Sequence, residues 1–268
     1  MLEGLLQNGV TASVAWPALA LAAFIIGIAK SGFGGGIGIL AVPLVANVLD
    51  ADHAVGVMLP VLITADVFAV RQHHQHRSGF HLRWSLLGGV VGILAGTVLL
   101  MAYAAQDSGA SDRLAWLLQV AVGVVSLSMV AIQGFRMAGG RLPALPDTRA
   151  SAIGAGSAAG FISTLAHAAG PVMTLYLLEL KQPKAKLVAT LVVFFFVLNL
   201  AKLPTYLGLQ LIDNDTLLLS GAMILVVPFG SVAGHWMHRR IAEKPFTLVM
   251  YAGAALAGGR MLWQAFAG

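Results

Sequence analysis

The chain has 268 residues, 58% of them hydrophobic and only 10% charged, with a formal net charge of +5 and a mean hydropathy of +0.85. A soluble chain needs roughly a quarter of its residues charged to cover its surface, so a water-soluble globular protein is excluded. With no cysteine, disulfides, thiolate metal sites and cysteine nucleophiles are excluded as well.

Residues 1–10 lack a basic leader and carry Glu3, so the first apolar stretch is expected to stay in the mature protein. Apolar runs then predict helical segments at 12–29, 34–49, 54–70, 84–103, 114–135, 152–165, 170–180, 187–206, 216–237 and 246–264. A bilayer core of about 30 Å takes about 20 helical residues. Segments 84–103, 114–135, 187–206, 216–237 and 246–264 meet that simply. The pairs 12–29 with 34–49, and 152–165 with 170–180, read as single apolar stretches broken by Ser31–Gly36 and by Ala166–Pro171.

Each broken stretch either crosses the membrane once or returns as a hairpin. Charge separates the two topologies. Four loops carry Arg71, Arg77 and Arg83; Arg136, Arg141 and Arg149; Lys181, Lys184 and Lys186; and Arg239, Arg240 and Lys244. Hairpins put all four loops on one side, 12 of the 16 Lys and Arg, whereas single crossings split them evenly. Lysine and arginine gather on the cytoplasmic face, so hairpins are favoured and both termini are expected on the other side. An odd number of segments per half also inverts the second half. The expected fold is therefore an all-α, polytopic membrane protein of two inverted-topology repeats, each a broken or re-entrant hairpin plus three transmembrane helices. The halves are 1–138 and 150–268, joined by a cytoplasmic linker at 139–149. A weak internal repeat agrees: Gly32–Gly36 aligns with Ala166–Gly170, and Gly92 and Gly96 match Gly230 and Gly234 in spacing.

The breaks offer chemistry. Non-helical backbone at membrane depth must be buried in protein or face a wet cavity, and helix N-termini present free N–H donors that bind anions. Returning segments 34–49 and 170–180 would bring two N-termini to a shared anion site near the midplane. Lys30 precedes the first break and His167 lies in the second. An intramembrane lysine generally has a function or a partner. The competing roles are snorkelling or structural pairing for Lys30, and a bond to a backbone carbonyl for His167. Asn199 and Lys202 share a helix face, with Lys202 placed near the non-cytoplasmic end, where it can snorkel. Asp66, about a turn from Arg71, reads mainly as an interfacial residue, with a proton-relay or pairing role as the alternative. The histidine-rich run 71–77 reads as a solvated basic loop. No nucleophile–base set, metal motif or phosphate loop is recognisable, so neither an enzyme nor a cofactor is expected. No nucleic-acid partner is expected either; the partners are lipid and a small anion.

Lys30-Ser31-Gly32-Phe33-Gly34-Gly35-Gly36 and the apolar run through Pro43 resemble the sulfite exporter TauE/SafE family. The resemblance extends to Arg77-Ser78-Gly79, to Asn199 with Lys202 and Pro204, and to the glycine-spaced run 226–234. It implies an inner-membrane exporter or permease of sulfite, organosulfonates or a similar small anion. The expected substrate site, built from the two breaks and the shared face of 187–206, comprises Lys30, Ser31, Gly32, Gly34, Gly35, His167, Gly170, Asn199 and Lys202. Another small anion, or a non-transport accessory subunit, is the alternative. The family's second glycine motif usually resembles its first, whereas this chain has Ala166-His167-Ala168-Ala169-Gly170.

Overall fold

A computed structural model describes residues 2–7, 9–33, 38–73, 77–105, 110–140, 145–240 and 243–267. Lipid cannot hydrogen-bond the backbone, so each spanning segment closes its own ladder as a helix. The described residues form α1 (Ala12–Phe33), α2 (Ala41–Val45), α3 (Ala51–His73), α4 (Gly79–Ala104), α5 (Ala110–Met137), α6 (Arg149–Ala166), α7 (Gly170–Glu179), α8 (Lys184–Gly208), α9 (Asn214–Ile224), α10 (Val227–Arg240) and α11 (Glu243–Ala267). Five helices are individually long and apolar enough to cross a membrane; a sixth span results if α9 and α10 count as one.

Three expectations change in detail. Helix α1 does not stop at residue 29. It runs to Phe33, a length of about 33 Å at 1.5 Å per residue, enough for a full crossing. Ser31 and Gly32 are therefore helical, and residues 34–37, including Gly34, Gly35 and Gly36, lie outside the described residues. The returning segment 34–49 is also no half-helix. It holds a 3-10 turn at Gly38–Leu40 and the five-residue α2. Finally, the segment 216–237 is two helices bent by 42° between Ile224 and Val227. Pro228 lacks the N–H that would bond the Ile224 carbonyl, which accounts for the break.

Both broken stretches come back on themselves. The Gln7 N–H donates to Val48 O at 3.1 Å and the Asp50 N–H to Leu5 O at 3.2 Å. Residues just before α1 thus lie beside residues just after α2. In the second stretch, His81 lies within 3.3 Å of Tyr176 on α7 and 3.8 Å from Asp147, just before α6. The end of α7 therefore lies near the start of α6.

Packing directions follow from named contacts. Helices α3 and α8 run antiparallel: Asp66 meets Asn199, while the earlier Gly56 meets the later Leu211. Helices α5 and α11 also run antiparallel, with Trp116 on Ala265 and Gln119 on Met261. Two pairs run parallel and touch backbone to backbone, α4 with α6 and α1 with α10. A methyl at Gly88 or Gly92 would fall on the carbonyl of Ile153 or Ser157, and one at Gly156 or Gly160 on that of Ser85 or Gly89. Methyls at Gly230 and Gly234 would strike the carbonyls of Phe24 and Ile28 in the same way. These small residues let helices approach until dispersion contacts hold them together without a hydrophobic driving force.

Gly92→Val and Gly230→Val are therefore expected to destabilise the protein by about 1–3 kcal/mol or more through overpacking. Gly154→Ala, where a methyl meets open space, is the neutral control. Thermal unfolding of the purified variants in detergent checks this, and equal melting of all three would contradict the close-contact assignment.

Candidate functional site

The site forms where α1, α3 and α8 meet the loop between α6 and α7. Lys30 is in the last turn of α1 and only 6% exposed. Its ammonium donates to Asp66 Oδ1 at 2.6 Å. Asn199 Nδ2 donates to the other carboxylate oxygen, also at 2.6 Å. The Phe195 ring covers the ammonium, with its centroid 4.8 Å away. Both partners are buried, so their attraction is little screened and each offsets the other's desolvation.

A second cluster sits at the α6–α7 break. Lys202 is fully buried. Its ammonium donates to Ser163 O at 3.1 Å, to Ser163 Oγ at 2.9 Å and to His167 Nδ1 at 2.8 Å. A lysine has only donors, so Nδ1 accepts and the ring proton lies on Nε2. That nitrogen donates to Val55 O at 2.9 Å. Tyr206 closes the cluster through a 2.8 Å bond to Thr164 O. His167 ends α6 with φ +50°, in the left-handed region that glycine enters without cost and other residues do not. The bonds to Val55 and Lys202 hold it there.

Asn199 and Lys202 lie three residues apart on α8 and link the clusters. Between them is a cavity of about 30 Å³ whose lining includes Lys30, Asn199, Ser163, His167, Gly170 and Phe195. Gly170 opens α7, with Pro171 following it, so free donors of that N-terminus border the cavity. The volume suits about one water molecule.

Of the residues singled out in the sequence, Lys30, His167, Gly170 and Asn199 line this cavity, and Lys202 bonds to its wall. Lys202 does not snorkel; it is the second lysine at a break. Ser31 and Gly32 face elsewhere. The Ser31 hydroxyl bonds to that of Ser231 on α10, and a methyl at Gly32 would meet Gly234 O at 2.7 Å. Gly34 and Gly35 lie outside the described residues. Asp66, for which pairing is only the lesser reading of the sequence, is the residue left out of the expected site. It is wholly buried rather than interfacial. The signal was available, since an ionisable side chain within an apolar run has a functional or pairing role by default. No group of three metal-ligating side chains occurs among the described residues.

The family model described as Sulfite exporter TauE/SafE matches residues 19–261. No curated protein and no solved structure matches the chain.

Lys30→Met or Asp66→Asn alone leaves a buried charge without its counterion and is expected to cost about 3–5 kcal/mol of stability. The double variant removes both charges and is expected to cost less than the sum of the two. Unfolding free energies of the four proteins provide the cycle, and additive losses would mean the pair does not interact.

Proposed function

We propose that this chain, which belongs to the sulfite exporter TauE/SafE family of membrane transporters, exports a small sulfur-containing anion such as sulfite or an organosulfonate across the inner membrane. One observation carries the reading. Among the described residues, the clusters around the cavity bring together two buried lysines, Lys30 and Lys202, but a single buried carboxylate, Asp66. A buried cation without a counterion is expensive, and a small anion supplies the missing charge. The N-terminus of α7 adds free N–H donors and a partial positive charge at the same place. Lys30, Asn199, His167 and Gly170 are the contact residues in this reading, with Lys202 behind His167.

The expected membrane arrangement is the inverted one, with repeats 1–138 and 150–268 about the linker 139–149. The packing supports it. Helix α3 and its counterpart α8 run in opposite directions, as do α5 and α11. Single crossings of the two broken stretches would make each of those pairs parallel. The cross-pairs are reciprocal as well: α1 lies on α10, and its counterpart α6 lies on α4. With the four basic loops inside, a negative cell interior favours anion exit by about 2.3 kcal/mol per charge per 100 mV.

Flux in proteoliposomes tests the substrate class, using sulfite, organosulfonates, sulfate, thiosulfate and carboxylates. The expectation is saturable flux of sulfite or a sulfonate. Lys202→Gln removes the uncompensated charge behind His167 and is expected to weaken half-saturation by roughly tenfold or more, the Coulomb attraction of a buried charge a few ångströms from the anion. No flux of any sulfur anion would end this reading. Separately, reporter fusions at both termini are expected on the non-cytoplasmic side and one within 139–148 in the cytoplasm. A cytoplasmic C-terminus would defeat the inverted arrangement.

A further inference from the structure

The ammonium that lines the cavity, on Lys30, is already neutralised. Asp66 holds it at 2.6 Å through one oxygen, and its other oxygen is committed to Asn199. An anion arriving beside Lys30 therefore meets a carboxylate bound to the same cation. Two negative charges on one ammonium, shielded from water, repel each other strongly. If Lys30 turns wholly to the arriving anion, Asp66 is stranded as a buried carboxylate with one amide partner, which a protein interior does not tolerate. A proton on Asp66 removes both penalties. The neutral carboxyl keeps an acceptor oxygen for Asn199 and gains an O–H donor.

From this geometry we propose that Asp66 is a proton-binding site that loads when the anion takes over Lys30, so that anion and proton cross together. The inference rests on the anion-transport reading above. The exchange balances without a further reactant. The proton comes from the water on the loading side, resides on a carboxylate oxygen during the crossing, and leaves on the other side. There the ionised Asp66 recovers Lys30 and the anion is expelled. A transported dianion with one proton still carries one negative charge outward, so the membrane potential continues to favour export.

Other groups near Asp66 are less suited to carry this proton. His167 has both ring nitrogens committed, Nδ1 to Lys202 and Nε2 to Val55, and a second proton would have to break the Lys202 bond. Lys202 spends its donors on Ser163 and His167. Along α3 itself, Asp52 and His53 lie at the start, Arg71 and His73 at the end, and His73 bonds Ser31 O at 3.1 Å. The elements packed on α3 add little. Helix α2 has no titratable group, α9 is led by Asp213 and Asp215 at the far end of α3, and α5 carries Asp112, Arg113 and Arg136 near its ends. Among the described side chains of α10, His235 is exposed.

The test uses the purified full chain in proteoliposomes, with labelled isethionate at equal concentration on both sides. Its sulfonate stays ionised throughout, so passive trapping of an acid does not mimic coupling. The membrane potential is clamped to zero with potassium and valinomycin, and a tenfold proton gradient is imposed. One proton per monoanion predicts a tenfold accumulation of isethionate on the alkaline side. This ratio is an equilibrium quantity, independent of how far a substitution slows the carrier. Asp66→Glu is expected to retain it and Asp66→Asn to fall to a ratio of one. Wild-type protein that carries isethionate but settles at one overturns the coupling and leaves transport standing. Absence of flux for both isethionate and sulfite overturns the transport reading itself. Asp66→Asn that still accumulates tenfold overturns the assignment to Asp66. If Asp66→Asn carries nothing, infrared difference spectra decide. A carboxylic-acid band must appear when isethionate binds wild type and shift in Asp66→Glu; an absent or unshifted band overturns the proposal.

Discussion

Burying charge where water cannot follow is the constraint around which this molecule is organised. Lys30 and Asp66 come from different helices, and Asn199 from a third. None of the three groups is tolerable at that depth alone. Together they bind α1, α3 and α8 at one point, because separating the helices there would expose unpaired charge to an apolar medium. Lys202 does the same for α8 and the α6–α7 break through Ser163 and His167. Asn199 and Lys202 share one face of α8, so a single helix surface positions both clusters.

The remaining packing lets these polar groups meet. Glycines on α1, α4, α6 and α10 remove side chains from two parallel helix contacts, until backbone carbonyls line the interface. Such contacts have nothing to repack, so each pair holds as a unit. Around the cavity the contacts are of another kind. Lys30, Phe195 and Lys202 are long or planar side chains with rotamers available to them. The part of the protein able to rearrange thus coincides with the part that bears charge.

The helical order was legible in the sequence because lipid makes hydropathy a direct record of length and position. Every expected segment except 34–49 has a counterpart within a few residues, and the parting of 216–237 into two helices follows from Pro228. What was not legible depended on distant partners. Glycine at 32 looked like the start of a break, yet α1 continues through it because Gly234, some two hundred residues later, offers a surface that needs a glycine opposite. Lys30 was recognisable from its depth. Its carboxylate was not, because Asp66 lies only five positions before Arg71 and proximity to a basic loop suggested an interface. The helix continues to His73, which sets Asp66 a full turn deeper than that spacing implied. Lys202 was displaced in the same way: counted along α8 it approached a helix end, while the break at His167 folds over it and seals it from solvent.

The second break shows how strain and charge are tied together. His167 occupies a backbone region that an L-residue enters only when its surroundings compensate. Its ring supplies the compensation by bonding Val55 on α3 and accepting from Lys202 on α8. A glycine would take the turn freely but would leave the Lys202 ammonium short of one acceptor and α3 without that tether. The histidine therefore converts a flexible turn into a three-way junction. The same turn sets the start of α7 beside the cavity. Lys30 is held in place by Asp66, so in the proposed transport cycle an anion that takes over Lys30 also releases that ion pair.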